Sequence, residues 1–354
     1  MTMPARSESA PSQEGVWGLP ITDLDEGINE TRGDLDALHD ARILITGGTG
    51  FLGSWLVASL LRANTILDLG IRVVLLTRNP KAIPFCDNAV NVLEGDVRSL
   101  PEPGAIDVIV HGAAMSSVPY GHGDGEARHM TTTIVDGTMR VLEVASRHHA
   151  RMLFLSSGAV YGCQTAAVSE DDPHAPDPLD PRSIYAQAKR LAETLCAAST
   201  DAGDVQVVIA RLFAFVGPRV PLHVHFAIGN FLADVLERRP IEVRGDGRPY
   251  RSYLYTGDLP EWCLKILLSG TTGRAYNVGS PDPVSIAELA HRVAMLVEPS
   301  LPVRILGEAE TGPAPWYVPN TDRATSELAL RPRTSLDESL RRTFDWLARH
   351  QSFR

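Results

Sequence analysis

One stretch limits the folding options of this chain more than any other. Nineteen consecutive residues, Ile43 to Leu61, carry no charge, a length close to that of a membrane span. Gly47, Gly48, Gly50 and Gly53 punctuate it, however, between a β-branched run (Ile43–Thr46) and a helical one (Leu52–Arg62). The stretch therefore reads as strand, tight turn and buried helix. Glycines at 47, 50 and 53 let the backbone turn tightly and approach a pyrophosphate. The helix start then offers free N–H groups and the positive end of its dipole. In this strand–turn–helix setting, Gly47, Gly50, Phe51, Leu52 and Gly53 are expected to hold a dinucleotide.

From Arg42 onward, short β-branched runs alternate with helical stretches. The runs are Ile43–Thr46, Arg72–Thr77, Val90–Leu93, Asp107–His111, Met152–Ser156 and Gln206–Arg211, and Thr133–His149 and Ser183–Thr200 have helical spacing. Such alternation predicts an α/β, doubly wound parallel-sheet Rossmann domain over residues 41–217. Beyond Pro218 the pattern breaks into helices at Phe226–Glu237, Ser285–Val297 and Ser335–Arg349. Short strands at Ile241–Tyr255 surround a Gly245-Asp246-Gly247 turn. Residues 218–354 are read as a smaller, mainly substrate-binding domain, with some segments returning to the first. Residues 1–40 form an extension, disordered over 1–20 and loosely helical over 21–40, packed outside the Rossmann domain.

Charge and cysteine usage narrow the partners. With 33 basic and 43 acidic residues the net charge is −10, the wrong sign for a general nucleic-acid or membrane-surface binder. A phosphate-bearing ligand needs only a few local donors and stays open. Cys86, Cys163, Cys196 and Cys263 form no CxxC pair, which reads as free thiols in a reducing cytoplasm. The polar Met1–Glu14 segment has no apolar run and is not read as a signal peptide.

The remaining motifs carry chemistry. The second strand ends Leu75-Leu76-Thr77-Arg78-Asn79. No acid stands there to bind the ribose hydroxyls of NAD, whereas Arg78 suits the 2′-phosphate of NADP. Asp96 and Val97 follow the third strand where an adenine would lie. Ala113 and Ala114 close the fourth with small residues that leave room for a cofactor. Tyr185 and Lys189 lie four apart on a helix and share one face. An ammonium beside a phenol favours the phenolate, which then exchanges a proton with a substrate hydroxyl while hydride moves to or from nicotinamide. Ser157, in Leu155-Ser156-Ser157-Gly158-Ala159-Val160-Tyr161-Gly162, is placed to bond the same substrate oxygen.

Glycine triplet, His111-Gly112-Ala113-Ala114, the Ser156–Gly162 stretch and Tyr185/Lys189 together resemble the extended short-chain dehydrogenase/reductases, specifically the NAD(P)-dependent nucleotide-sugar epimerase/dehydratase family. The likeness runs in order from about Arg42 to Arg349. It implies Ser157, Tyr185 and Lys189 as the catalytic triad, and Ser116, Ser157, Asn230, Phe231 and Arg251 as substrate contacts. It also implies NAD or NADP as cofactor and a homodimer through the Thr133–His149 and Ser183–Thr200 helices. Arg211–Pro218 matches the strand leading into the sugar pocket, and Tyr276-Asn277-Val278-Gly279 is a further landmark.

The departures shape the functional reading. Ala214 and Ile134 stand where many members have asparagine, and Gly312–Trp316 replaces a stretch that often supplies a phosphate arginine. Dehydratases of the family resemble Thr-Asp-Glu where this chain has Ser157-Gly158-Ala159, and sugar-acid decarboxylases keep the Glu. Without an acid/base pair there, weight shifts to oxidation and reduction at C4. The expected function is a nucleotide-sugar 4-epimerase, in which tightly held NAD suffices. The alternatives are an NADPH-dependent 4-ketoreductase, elimination or decarboxylation by an unusual route, and a non-catalytic dinucleotide sensor. His223 and His225 lack a carboxylate or cysteine cluster, so no metal is expected.

Overall fold

The computed structural model describes residues 14–114, 124–224, 226–308 and 311–350. Its strands in chain order are β1 (Arg42–Thr46), β2 (Arg72–Thr77), β3 (Val90–Glu94), β4 (Val108–His111), β5 (Arg151–Ser157), β6 (Val207–Leu212) and β7 (Ala214–Val216). They continue as β8 (Ile241–Val243), β9 (Tyr250–Arg251), β10 (Tyr253–Tyr255), β11 (Ala275–Val278), β12 (Val284–Ser285), β13 (Val303–Ile305) and β14 (Trp316–Tyr317). The helices are α1 (Ile21–Leu35), α2 (Phe51–Leu67), α3 (Asp124–His148), α4 (Ile184–Asp201), α5 (Ala227–Leu236), α6 (Leu259–Ser269), α7 (Ile286–Ala294), α8 (Asp322–Leu328) and α9 (Leu336–His350).

Seven strands form one parallel sheet in the order β3-β2-β1-β4-β5-β6-β11. The order reverses between β1 and β4, which opens a crevice at the carboxyl ends of the strands, where α/β sheets of this kind take ligands. Helices cover both faces, so the central strands are buried on both sides and read as continuous apolar runs. The uncharged stretch becomes β1 and α2. Helix α2 carries no charge up to Leu61 because that part is buried almost all round (Trp55, Leu56, Val57, Ala58 and Leu60) between the sheet and the outer layer of α1 and α6. Among the described residues no helix is long and apolar enough to cross a membrane.

The six strands expected from sequence lie within a residue of their observed bounds. Helix α3 begins at Asp124 rather than Thr133, because its first turns (Glu126, Arg128, His129) are too polar to carry an apolar period. Helix α6, strand β11 and helix α8 were not anticipated. The signal for α6 was present, as Pro260 occupies its first turn.

Helix α1 does more than cover the outside. Buried Asp23 accepts from Tyr255 of β10 and from Arg342 of α9, while Trp346 Nε1 of α9 donates to Gly18 O at 2.6 Å. The extension thereby ties the Rossmann layer to a second core, built from α5, α7, α9, β7, β8 and β10 around Val216, Phe231, Leu289 and Trp346.

Candidate active site

A cleft of about 2140 Å³ runs from the carboxyl ends of the parallel strands to the second core. At its floor, Gly47 has φ +76°, and a Cβ there would stand 2.6 Å from Gly112 O. A Cβ on Gly53 would overlap the carbonyl oxygen of Gly47. Both glycines are therefore required by the turn itself. Gly50 caps α2 and has no side chain to bond the first N–H groups of the helix, and Phe51 and Leu52 line the cleft. This cradle fits a dinucleotide pyrophosphate. Arg219, not singled out from sequence, donates from Nη2 to Thr49 O at 3.2 Å and brings a guanidinium to the same turn.

Arg78, Asp96 and Val97 line the adenosine end. The Asp96 carboxylate accepts from Arg98 N, Nε and Nη2, all at 2.9 Å, and these bonds hold it down at about 2. Val97 is buried against Gly137 of α3, where a Cβ would press on it at 2.8 Å. Arg78 and Arg98 both reach His129 of α3, at 3.4 Å from Nε2 and 3.0 Å from Nδ1. A neutral imidazole accepts at one nitrogen only, so this cluster holds more donors than acceptors. Its composition suits a phosphate beside the adenosine ribose.

Ala113 and Ala114 border the cleft after β4, and their backbone is set by a buried chain. Thr46 Oγ1 accepts from Gly112 N and Ala113 N and bonds His111 Nδ1 at 2.7 Å, while His111 Nε2 meets Thr138 Oγ1 at 3.1 Å. Burial, with the charge of Lys189, brings His111 down to about 3, so it stays neutral.

The structure brings Ser157, Tyr185 and Lys189 together where β5 ends and α4 begins. Ser157 Oγ accepts from Ala159 N at 3.2 Å and is hydrogen-bonded to the Tyr185 phenol. Lys189 Nζ donates to Leu155 O at 2.7 Å over the Phe154 ring, and burial brings it down to about 8. The phenolate that the Tyr185/Lys189 spacing predicts is opposed by burial. Burial pushes the Tyr185 phenol up, Tyr317 adds to that, and the bond from Ser157 only partly opposes it. Further positive charge, such as an oxidised nicotinamide brings when bound, is what ionisation of Tyr185 requires.

The residue after Ser157 is fixed by packing. A Cβ on Gly158 would lie 2.8 Å from the Phe213 ring, so no acid fits there without displacing Phe213. Asn230 lines the cleft and donates from Nδ2 to Val224 O at 2.8 Å, and buried Phe231 borders it from the second core. Arg251 lines the same wall, donating to Tyr250 O at 2.9 Å. Ala214 lies on the wall as well. Arg211 does not serve the cleft, since it pairs with Glu193 at 2.7 Å and bonds Tyr161 Oη at 2.8 Å. His223 Nε2 lies 3.6 Å from Glu237 Oε1. Ser116 and His225 lie outside the described residues. Among the described residues no group of three or more His, Cys, Asp or Glu is placed to hold a metal.

A family model for the NAD dependent epimerase/dehydratase family matches residues 43–279. The chain belongs to that family. It is an NAD(P)-dependent enzyme of the extended short-chain dehydrogenase/reductase type. UDP-glucuronic acid decarboxylase 1 of Arabidopsis thaliana is 30% identical over 303 residues, 85% of this chain and 68% of that protein. Among solved structures, MoeE5 in complex with UDP-glucuronic acid and NAD is 28% identical with TM-score 0.73, covering 87% of this chain and 99% of its own. DesIV, a dTDP-glucose 4,6-dehydratase from Streptomyces venezuelae with NAD and TYD bound, is 26% identical with TM-score 0.73, covering 88% and 98%. Against this family background, Tyr317 is a further cleft residue that the sequence motifs missed. It lies on a short strand far from them in sequence, and only folding brings its hydroxyl to 3.4 Å from Ser157 Oγ.

Proposed function

We propose that this family member is a nucleotide-sugar 4-epimerase acting by transient oxidation at C4. The observation that carries the reading is the absence of an acid beside Ser157, where Gly158 is held small by Phe213 and Ala159 lines the cleft. Ser157 and Tyr185 hold the C4 hydroxyl, Tyr185 removes and later returns its proton, and Lys189 keeps the end of β5 and α4 in register through Leu155 O. The bound dinucleotide supplies the acceptor and donor of the C4 hydride. Gly47, Gly50, Phe51, Leu52, Gly53, Asp96, Val97, Ala113 and Ala114 hold it, with Arg78 at the ribose. Asn230, Phe231 and Arg251 bound the nucleotide-sugar end. A homodimer through α3 and α4, whose outer faces leave Met139 and Leu191 exposed, and a cytoplasmic location complete the reading.

Heavy water separates the chemistries. A C4 epimerase moves its C4 hydrogen as hydride, so the 4-epimer carries no carbon-bound deuterium. Elimination must lift the C5 proton and deliver another to C6. The relatives' names favour decarboxylation as the second reading. Oxidation at C4 of a glucuronic acid gives a β-keto acid. A decarboxylase lets it lose CO2 to an enolate that takes a solvent proton at C5, whereas an epimerase returns the hydride to C4 first. Incubation with UDP-glucose and with UDP-glucuronic acid in heavy water is expected to give deuterium-free epimers. Deuterium at C5 or C6 overturns the epimerase reading, and CO2 release with C5 label establishes decarboxylation in its place.

A further inference from the structure

We infer that Tyr317 is a substrate-contacting residue of the catalytic centre, whose phenol hydroxyl holds a sugar oxygen adjacent to the C4 oxygen held by Ser157 and Tyr185. The inference rests on the reading of the cleft as a nucleotide-sugar site, but not on the choice between epimerisation and decarboxylation.

Tyr317 is placed by structure on both sides. Strand β14 pairs in parallel with β9, setting Tyr317 opposite Arg251, whose guanidinium lies over its ring at 5.6 Å. Trp316 N donates to Gln164 O at 2.7 Å and Asn320 N to Val168 O at 2.7 Å. These bonds stitch the strand to the loop that leaves the Ser157–Tyr161 turn. The Tyr317 ring packs on Phe213 at 4.9 Å, the same ring that keeps residue 158 a glycine. The hydroxyl is thereby carried into the cleft, 3.4 Å from Ser157 Oγ and 3.5 Å from Leu212 O.

The geometry bears on the sugar in a direct way. The Tyr185 and Tyr317 phenols both lie beside Ser157 Oγ, the Tyr317 hydroxyl at 3.4 Å. A sugar oxygen seated between Ser157 and Tyr185 leaves its neighbour on the ring facing Tyr317. A phenol hydroxyl both donates and accepts, which matches a sugar hydroxyl. Among the described residues the carboxylates lining the cleft are Asp96, Asp234 and Glu242, on the turn after β3, on α5 and on β8. Tyr317 therefore fills, with a neutral hydrogen-bonding group, wall space beside Ser157.

The test compares sugar-dependent affinity. Isothermal titration of the NAD-loaded full chain with ADP-, CDP-, GDP-, UDP- and dTDP-glucose and UDP-glucuronic acid, and with each free nucleotide, identifies the carrier and the gain that the sugar brings. Tyr317→Phe keeps the ring on Phe213 and removes only the hydroxyl. It is expected to cut the sugar-dependent gain about 3- to 10-fold, the scale of one neutral hydrogen bond, with affinity for NAD and the free nucleotide unchanged. An unchanged sugar-dependent gain overturns the inference, and so does equal weakening of free nucleotide or NAD. Failure of every sugar nucleotide to bind better than its free nucleotide overturns it together with the nucleotide-sugar reading. A sugar-dependent loss in Tyr317→Phe alongside C5 deuterium in the product sustains Tyr317 while the epimerase reading falls.

Discussion

Tyr185 sits where burial opposes its ionisation, and Lys189, one turn on along α4, donates to Leu155 O. A phenol so placed moves a proton only when the site is assembled around cofactor and sugar, which suits a reaction confined to the complex. Tyr185→Phe is expected to fold and bind NAD(P) normally while turnover falls roughly 100- to 10,000-fold, the usual loss of a general acid/base. Retention of half the wild-type rate would remove Tyr185 as proton carrier. At the other end of the cleft, Arg78 and Arg98 meet the two nitrogens of one imidazole, which accepts from only one of them. If the cluster cradles a 2′-phosphate, Arg78→Ala should weaken NADP binding by about 1.5–3 kcal/mol, the scale of a hydrogen bond to a charged group, and leave NAD nearly unchanged. Titration calorimetry with both cofactors checks this, and equal losses or none would leave Arg78 a surface residue.

Among the elements, β1, β4 and α3 are joined by the buried Thr46–His111–Thr138 chain, which also orients the turn at Gly112 and Ala113. Burial, aided by Lys189, holds His111 at about 3 against its ordinary 6.5. Between those values the unfolded chain binds a proton that the folded chain does not. The stability contribution is thus complete above pH 6.5 and lost as pH falls toward 3, on the order of 5 kcal/mol across the whole window. Urea unfolding of wild type and His111→Gln, followed from pH 7 to pH 4, should show the wild-type advantage shrinking as pH falls. A constant difference would mean that His111 titrates normally in the fold.

On the scale of the whole molecule, the N-terminal extension is a tie rather than an appendage. Asp23 is 3% exposed and depends on Arg342, 2.6 Å away on the last helix, and on Tyr255. Burial raises its pKa, and these two partners oppose the rise. Arg342→Ala leaves the carboxylate buried beside Glu26 with one neutral partner. We expect a loss of about 3 kcal/mol in guanidinium unfolding, partly recovered when Asp23→Asn is added. An unchanged midpoint would show that the extension contributes little to joining the two cores.

What the sequence determined by itself is local or periodic. β-branched runs fixed six strands of the parallel sheet, and the glycine spacing fixed the turn between β1 and α2, because Gly47 and Gly53 are demanded by backbone contacts within a few residues or across one strand pair. The Tyr185/Lys189 spacing likewise placed both groups on one helix face. The tertiary structure decided the rest. Burial raises the Tyr185 phenol, since desolvation depends on every element packed around it. Phe213, far along the chain, set the size of residue 158. Tyr317 reached Ser157 from a strand with no motif of its own, because proximity across 160 residues of chain is a property of packing and leaves no period or spacing to read.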